Sequence, residues 1–226
     1  MIYNNMNVLE FLMFSMSKSN TNQVELQEQI FEFIIDIGLG ELSLTPNKML
    51  TKEEKAVITL ITAAYSDSMM IIFNLPEYEF NEVLTGAIAK ISCFIMHKGK
   101  TLILGTQSCL LIEKACSHTA YIADGGIIYQ GSVENLRSRY DKVVVIIRDK
   151  SIYHMMDKLA VLLPNHKLSI RNDSLLISNY GKEEDNAGYI YEKIIETDFI
   201  PGYMETNIKN VQNAYEEIVL QYDLQK

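Results

Sequence analysis

Two short, unbroken apolar runs flank one amphipathic segment, and this arrangement constrains the chain more than any other feature. Met69 to Phe73 (MMIIF) is continuously apolar and stopped by Pro76, and Thr101 to Gly105 (TLILG) is a second such run. Both are too short for helices and lack the alternation of a half-buried strand, so each is expected to be a strand buried on both faces. Between them Val83 to Met96 carries apolar residues at helical spacing, with Gly99 as its exit. Strand, helix, strand in that order implies a parallel crossover, hence an α/β sheet.

The segments before and after extend this core. Val8, Leu9, Phe11, Leu12 and Met13 line one helical face, and a polar SKSNTNQ stretch then marks a turn. Leu26, Ile30, Phe31, Phe33, Ile34 and Ile37 recur at helical spacing, with Gly38 ending that helix. Thr51 is placed to cap a third helix whose Glu53, Glu54 and Lys55 form a polar first turn. A hairpin is expected over His118 to Gln130, turning on Asp124, Gly125 and Gly126. After Tyr140 the pattern changes to strand (143–147), helix (152–163), a strand pair across Asn172-Asp173 and a helix (187–196), the makings of a small α+β module. Tyr180 to Gly188 reads as a solvated loop, and Ile208 to Tyr222 as a last amphipathic helix.

Composition excludes several classes. The net charge is -9 and no stretch concentrates Lys and Arg among aromatics, so nucleic acid is not an expected partner. Cys93, Cys109 and Cys116 sit in apolar stretches without ligand spacing; they read as small hydrophobes in a reducing cytosol, and no metal is expected. The N-terminus lacks the basic region and cleavage site of a signal peptide. No apolar window reaches the roughly 18 to 20 residues of a membrane span, so any membrane association is expected through a partner. The four histidines are dispersed, and Glu77, Glu79 and Glu82 are read as solvated. Met69, Met70, Met155 and Met156 are read as filling core or interface gaps.

Seven landmarks, in order and with matching spacing, resemble the second half of an ABC transporter ATPase of the drug- and bacteriocin-exporter type. They are MNVLEFL (6–12), FIIDIGLGEL (33–42), LTKEEKAVITLITAAY (50–65), MMIIFNLP (69–76), HKGKTLILGTQ (97–107), IADGGIIYQGSVENL (122–136) and the tail ETNIKNVQNAYEEIVL (205–220). The resemblance implies a partial ABC-ATPase-like α/β core. Its helical subdomain would occupy about 1–66 and a mostly parallel sheet core about 67–140, followed by an accessory α+β domain over 141–226.

The resemblance also implies where chemistry would sit, and there the residues depart from the family. No GxxxxGK[ST] phosphate loop occurs in the sequence, and the expectation is that it would lie upstream of Met1. The Walker B aspartate position holds Asn74, and a neutral amide cannot match that charge toward Mg²⁺. The neighbouring glutamate position holds Leu75, which cannot polarise water. Gln107 stands at the switch histidine, and Thr51, Lys52 and Glu53 stand at the signature Ser-Gly-Gly. The D-loop is represented by Glu79, Phe80 and Asn81. Thr51, Asn74 and Gln107 are thus the candidate nucleotide-contact residues, with no catalytic and no metal residue.

The implied protein is a non-hydrolytic, regulatory or structural subunit on the cytoplasmic face of the membrane. Its partners would be an active ABC ATPase or a transmembrane permease. An alternative is the C-terminal half of a split ATPase that takes ATP and Mg²⁺ only at a composite interface with a phosphate-loop-bearing segment. A third is an unstable gene remnant.

Overall fold

The computed structural model describes residues 4–17, 22–179 and 187–224. They fall into two units, Met1–Ser117 and His118–Lys226. The fold class is the α/β one expected, with a helical region before a parallel strand pair and an α+β module after it.

In the first unit, α1 (Val8–Met16) begins at a reciprocal cap. Asn7 Oδ1 accepts the Glu10 N–H at 2.9 Å, and the Glu10 carboxylate accepts the Asn7 N–H at 2.9 Å. Helix α2 (Gln23–Asp36) ends where Gly38 turns left-handed at φ 85°. There the Gly38 and Leu39 N–H groups donate to the Ile35 and Ile34 carbonyls, each at 2.9 Å, closing the last turn. Helices α3 (Lys52–Tyr65) and α4 (Glu82–His97) complete a core in which Leu12, Ile30, Ile34, Ile58, Ile61, Ile88, Ile91 and Ile95 are fully buried. Each such side chain contributes about 1.5–3 kcal/mol by leaving water.

Strands β1 (Met70–Asn74) and β2 (Thr101–Gly105) pair in parallel, from Met70 opposite Thr101 to Asn74 opposite Gly105, with α4 as the crossover between them. Helix α5 (Cys109–Ala115) follows β2. The expectation that both strands are buried on both faces is not met. Ile71 packs into the core with Phe73, Leu102 and Leu104 against it, whereas Met70, Ile72 and Ile103 on the opposite face are 58%, 68% and 46% exposed. The helices carrying the core all lie on the Ile71 side. Met69 is likewise exposed rather than packed, and Cys93 lies on the exposed side of α4 rather than in the core.

The second unit starts with a hairpin, β3 (His118–Ala123) and β4 (Gly126–Ser132), and α6 (Val133–Tyr140). The sequence reading placed these residues in the first domain, with a boundary at 140/141. Here they join the second unit instead, because the last helix, α9 (Val211–Asp223), packs on them. Tyr121 and Tyr215 rings lie 4.8 Å apart, and the Tyr222 hydroxyl meets the Asp124 carboxylate at 3.2 Å.

The remainder runs β5 (Val143–Arg148), α7 (Ile152–Leu162), β6 (His166–Arg171), β7 (Ser174–Asn179), α8 (Ala187–Ile195) and β8 (Tyr203–Thr206). The sheet order is β6-β7-β5-β8 with every neighbour antiparallel, which is the ferredoxin-like split β-α-β arrangement. Val145, Ile147, Leu175 and Ile177 bury one sheet face under Met155, Leu159, Ile190 and Ile194. Met155 is thus the core residue expected, and Met156 packs beside it. Strand β8 was not anticipated, and α9 starts at Val211 rather than Ile208 because Asn210 caps it, accepting the Asn213 N–H at 2.8 Å. The expected solvated loop over 180–188 lies outside the described residues except for its last two positions, which begin α8.

Asp141 stands at the entry to β5 and is fully buried. Its Oδ1 accepts the Val143 N–H at 3.1 Å. Its Oδ2 accepts from the Asn207 side chain at 3.0 Å, the Asn210 N–H at 2.9 Å and the Asn213 side chain at 3.3 Å. One carboxylate therefore ties the start of β5 to the exit of β8 and the first turn of α9.

Candidate functional site

In open α/β sheets a ligand crevice forms outside the carboxyl ends of the strands, and in the first unit that edge is defined by Asn74 and Gly105. The chain leaves β1 through Leu75, whose N–H donates to the Gly105 carbonyl at 3.0 Å and whose carbonyl accepts the Tyr78 N–H at 3.2 Å. It leaves β2 through Thr106, whose hydroxyl accepts the Ser108 N–H at 3.0 Å, with Gln107 exposed between them. Asn74 and Gln107 are thus brought to the same end of the strand pair.

The Asn74 side chain folds across β2. A Cβ on residue 105 would stand 1.9 Å from Asn74 Oδ1, so only glycine at 105 leaves room for it. Thr51 is at the head of α3, and its hydroxyl is engaged locally: it accepts the Glu54 N–H at 3.1 Å while the Glu54 carboxylate accepts the Thr51 N–H at 2.8 Å. The sequence reading of Thr51 as a helix cap holds. The head of α3 lies beside the loop after β1, since the Lys52 ammonium is 5.0 Å from the Tyr78 ring centroid. Stacking of Tyr78 on Phe80 at 6.1 Å orders that loop.

The chemistry available at this edge is neutral hydrogen bonding. Asn74, Thr106, Gln107 and Ser108 can donate and accept, but the position beside Asn74 is the half-buried aliphatic Leu75. Glu77 and Glu79 are exposed in the loop, and Glu82 faces Lys114 at 4.0 Å. Among the described residues no group of three or more His, Cys, Asp or Glu side chains is arranged to hold a metal ion. Burial pushes the Cys116 thiol up, which keeps it protonated and unreactive at the end of α5. These residues do not fit a magnesium-nucleotide centre with a general base: the amide lacks the charge, and the leucine side chain has no group that accepts a proton.

No protein-family model matches the chain, and no curated protein matches it in sequence. Among solved structures it is similar to an ATP-binding cassette of an ABC transporter in its ADP conformation. That match has 19% identity, covers 60% of each chain and has a TM-score of 0.43. The chain therefore spans about three-fifths of the length of that cassette. No helix among the described residues is long and apolar enough to cross a membrane.

Sequence reasoning missed a groove elsewhere in the first unit. Phe33, Tyr65 and Phe94 come together there from the last turns of three helices. The available signal was an aromatic residue near the end of each of three consecutive long helices.

Proposed function

We propose that this chain is a degenerate nucleotide-binding-type subunit of an ABC transporter. It does not hydrolyse ATP at its own site, and it serves as a regulatory or structural partner of an active ATPase or of a membrane permease. The observation that carries the reading is the carboxyl end of β1. There Asn74 and Leu75 occupy the positions at which the family resemblance puts the magnesium-binding aspartate and the water-polarising glutamate, beside Gln107 at the end of β2. A strand end so built keeps hydrogen-bonding capacity and loses charge and basicity. The family assignment rests on the ordered landmarks in the sequence, and the degenerate site rests on those three residues. On this reading Thr51, Asn74 and Gln107 contact nucleotide weakly, and the chain sits at the cytoplasmic face of the membrane through its partner.

The composite reading, in which a second polypeptide supplies the phosphate loop and the two together bind ATP and Mg²⁺, is favoured by one feature. Among the described residues of the first unit, Met70, Ile72 and Ile103 on one face of β1 and β2 have no cover. Leu75 still predicts slow turnover at such a site unless the partner brings a base.

The test is to isolate the protein from its own cells in mild detergent, identify what accompanies it, and assay Mg²⁺-dependent ATP hydrolysis by the chain alone and by the complex. An accompanying ATPase or permease, with no turnover by the chain alone, is the expected result. Absence of any ATPase or membrane protein overturns the subunit reading. Turnover by the complex that is lost on Gln107→Ala in this chain, yet survives mutation of the partner's own site, replaces it with the composite one.

A further inference from the structure

The outer edge of β8 belongs to the second unit and is independent of the strand-end site. Among the described residues β8 pairs with β5 on one side and with no strand on the other. The segment is anchored at both ends. The Gly202 N–H donates to the Asp149 carboxylate at 3.0 Å, and the Asn207 side chain donates to Asp141 at 3.0 Å and to the Val143 carbonyl at 3.1 Å. An edge fixed in this way gives up little further freedom when another strand pairs with it.

Hydrogen-bond alternation decides what the edge offers. The Asn207 N–H donates to the Val144 carbonyl at 2.8 Å, so in the antiparallel register with β5 the main-chain groups of Asn207, Glu205 and Tyr203 face inward. Those of Met204 and Thr206 face outward. Pro201 falls on the inward set, so the N–H that proline lacks is not missed at the open edge. From Gly202 to Asn207 no lysine, outward proline or bulge blunts that edge.

The sequence along the edge is self-complementary. Residues 200–208 read IPGYMETNI. When two identical strands run antiparallel about a two-fold axis at Met204, Ile200 of one copy stands opposite Ile208 of the other, and Tyr203 stands opposite Glu205. Ile200 and Ile208 are 94% and 86% exposed, more than any other large hydrophobic side chain among the described residues. The one charge on the strand comes with partners: the Tyr203 hydroxyl donates to the Glu205 carboxylate at 2.5 Å, and the Arg148 guanidinium lies 3.6 Å from that carboxylate and 5.0 Å from the Tyr203 ring centroid. Moving the axis by one residue loses the match. At Glu205 it opposes two carboxylates, at Tyr203 it sets Glu205 against Pro201, and in both cases Ile200 and Ile208 no longer meet.

We propose that two copies of this chain form a two-fold dimer through β8, joining their four-stranded sheets edge to edge. The Met204 N–H donates to the Met204 carbonyl of the other copy and the Thr206 N–H to its Gly202 carbonyl, each reciprocally, while Ile200 and Ile208 cover one another on one face of the joined sheet.

The test is sedimentation velocity of the full chain over about 1 µM to about 1 mM. A short ladder flanked by apolar pairs belongs with transient interfaces, so half of the chains should be dimeric at roughly tens of micromolar. Met204→Pro removes an outward N–H and no bond to β5; it should weaken the dimer by about tenfold or more and leave amide protection in β5 unchanged. Ile200→Lys and Ile208→Asp should each weaken it about tenfold, because symmetry counts every cross-strand pair twice, and the doubly substituted chain should return to within about threefold of the parent.

A chain that stays monomeric over the whole range overturns the proposal and leaves the edge to a strand of a different protein. A dimer indifferent to Met204→Pro is held by another surface and also overturns it. A doubly substituted chain that associates no better than either single variant refutes the register, and with it the proposal. Should Met204→Pro lose protection in β5, the two isoleucine variants, whose side chains are exposed in the single chain, decide alone.

Discussion

The two sheets of this protein are made of similar residues and end in different states. Strands β5 and β7 are as apolar as β1 and β2, yet they sit at the centre of four strands, with Val145, Ile147, Leu175 and Ile177 fully buried under two helices. The opposite face of β7 carries Ser174 and Ser178, both also buried. Among the described residues β1 and β2 pair only with each other, and the helices of their unit cover a single face, leaving Met70, Ile72 and Ile103 exposed. A run of apolar residues thus states that a strand wants cover on both faces. It does not state whether the chain itself supplies that cover.

The contrast can be broken in four places. Replacing Asp141 by alanine removes the acceptor for four donors inside the second unit, and should cost about 4 kcal/mol by denaturant unfolding. Amide protection should fall across β5, β8 and α9; retained protection there would mean the four-stranded sheet does not need its carboxylate tie.

Next come two neighbours on opposite faces of β1. Ile71→Ala should cost about 3 kcal/mol and Ile72→Ala about 0.5 kcal/mol or less, because only Ile71 leaves a cavity. Equal costs would show that the bare face is covered in solution. A rise in the Ile72→Ala cost on adding an isolated partner would identify what covers it.

At the strand end, Gly105→Ala should cost about 1.5 kcal/mol through its clash with Asn74, and the loss should largely vanish in an Asn74→Ala background. Additive costs in that cycle would mean Asn74 does not lie across β2.

The smallest effect concerns acid. The Asp149 carboxylate is held below the ordinary aspartate range, first by the Ser151 hydroxyl and then by the Ser151 and Gly202 N–H groups. A depressed folded-state pKa contributes stability above the unfolded value of about 4, and that contribution is lost as pH falls through the folded one. Asp149→Asn should therefore flatten the acid side of the stability profile, with a small loss of stability at neutral pH that vanishes as pH falls below about 4. An unaltered acid limb would show that this turn is not formed in solution.

Much of the architecture was legible because local chemistry and tertiary context agree. Thr51 caps α3, Gly38 closes α2, and the apolar runs at 101–105 and 143–147 are strands to within a residue of the observed bounds. Strand β8 was not legible, since Tyr203 to Thr206 is short and carries Glu205 in mid-strand, so its pairing with β5 is decided by the sheet rather than by its own pattern. The domain boundary was obscured by α9, which returns to pack on the hairpin from almost a hundred residues away in sequence.

For the site, order along the chain located Asn74 and Gln107 at one strand end, because parallel strands deliver consecutive carboxyl ends to one edge. It could not reveal that the Asn74 amide lies over Gly105. Nor could it show that the ring faces of Phe33, Tyr65 and Phe94 converge; each reads as an ordinary core aromatic until three helix ends are set side by side.

The carboxylate of Asp141 also sets a timetable for the nascent chain. Three of its four donors, from Asn207, Asn210 and Asn213, are synthesised well after it. During translation the acid must therefore remain hydrated while β5 through β8 emerge. Withdrawing it from water beforehand would leave a buried charge with a single partner. The second unit is accordingly one whose sealing step waits on its last helix, and a ribosome stalled before Asn213 would hold a sheet that chaperones and proteases can still open.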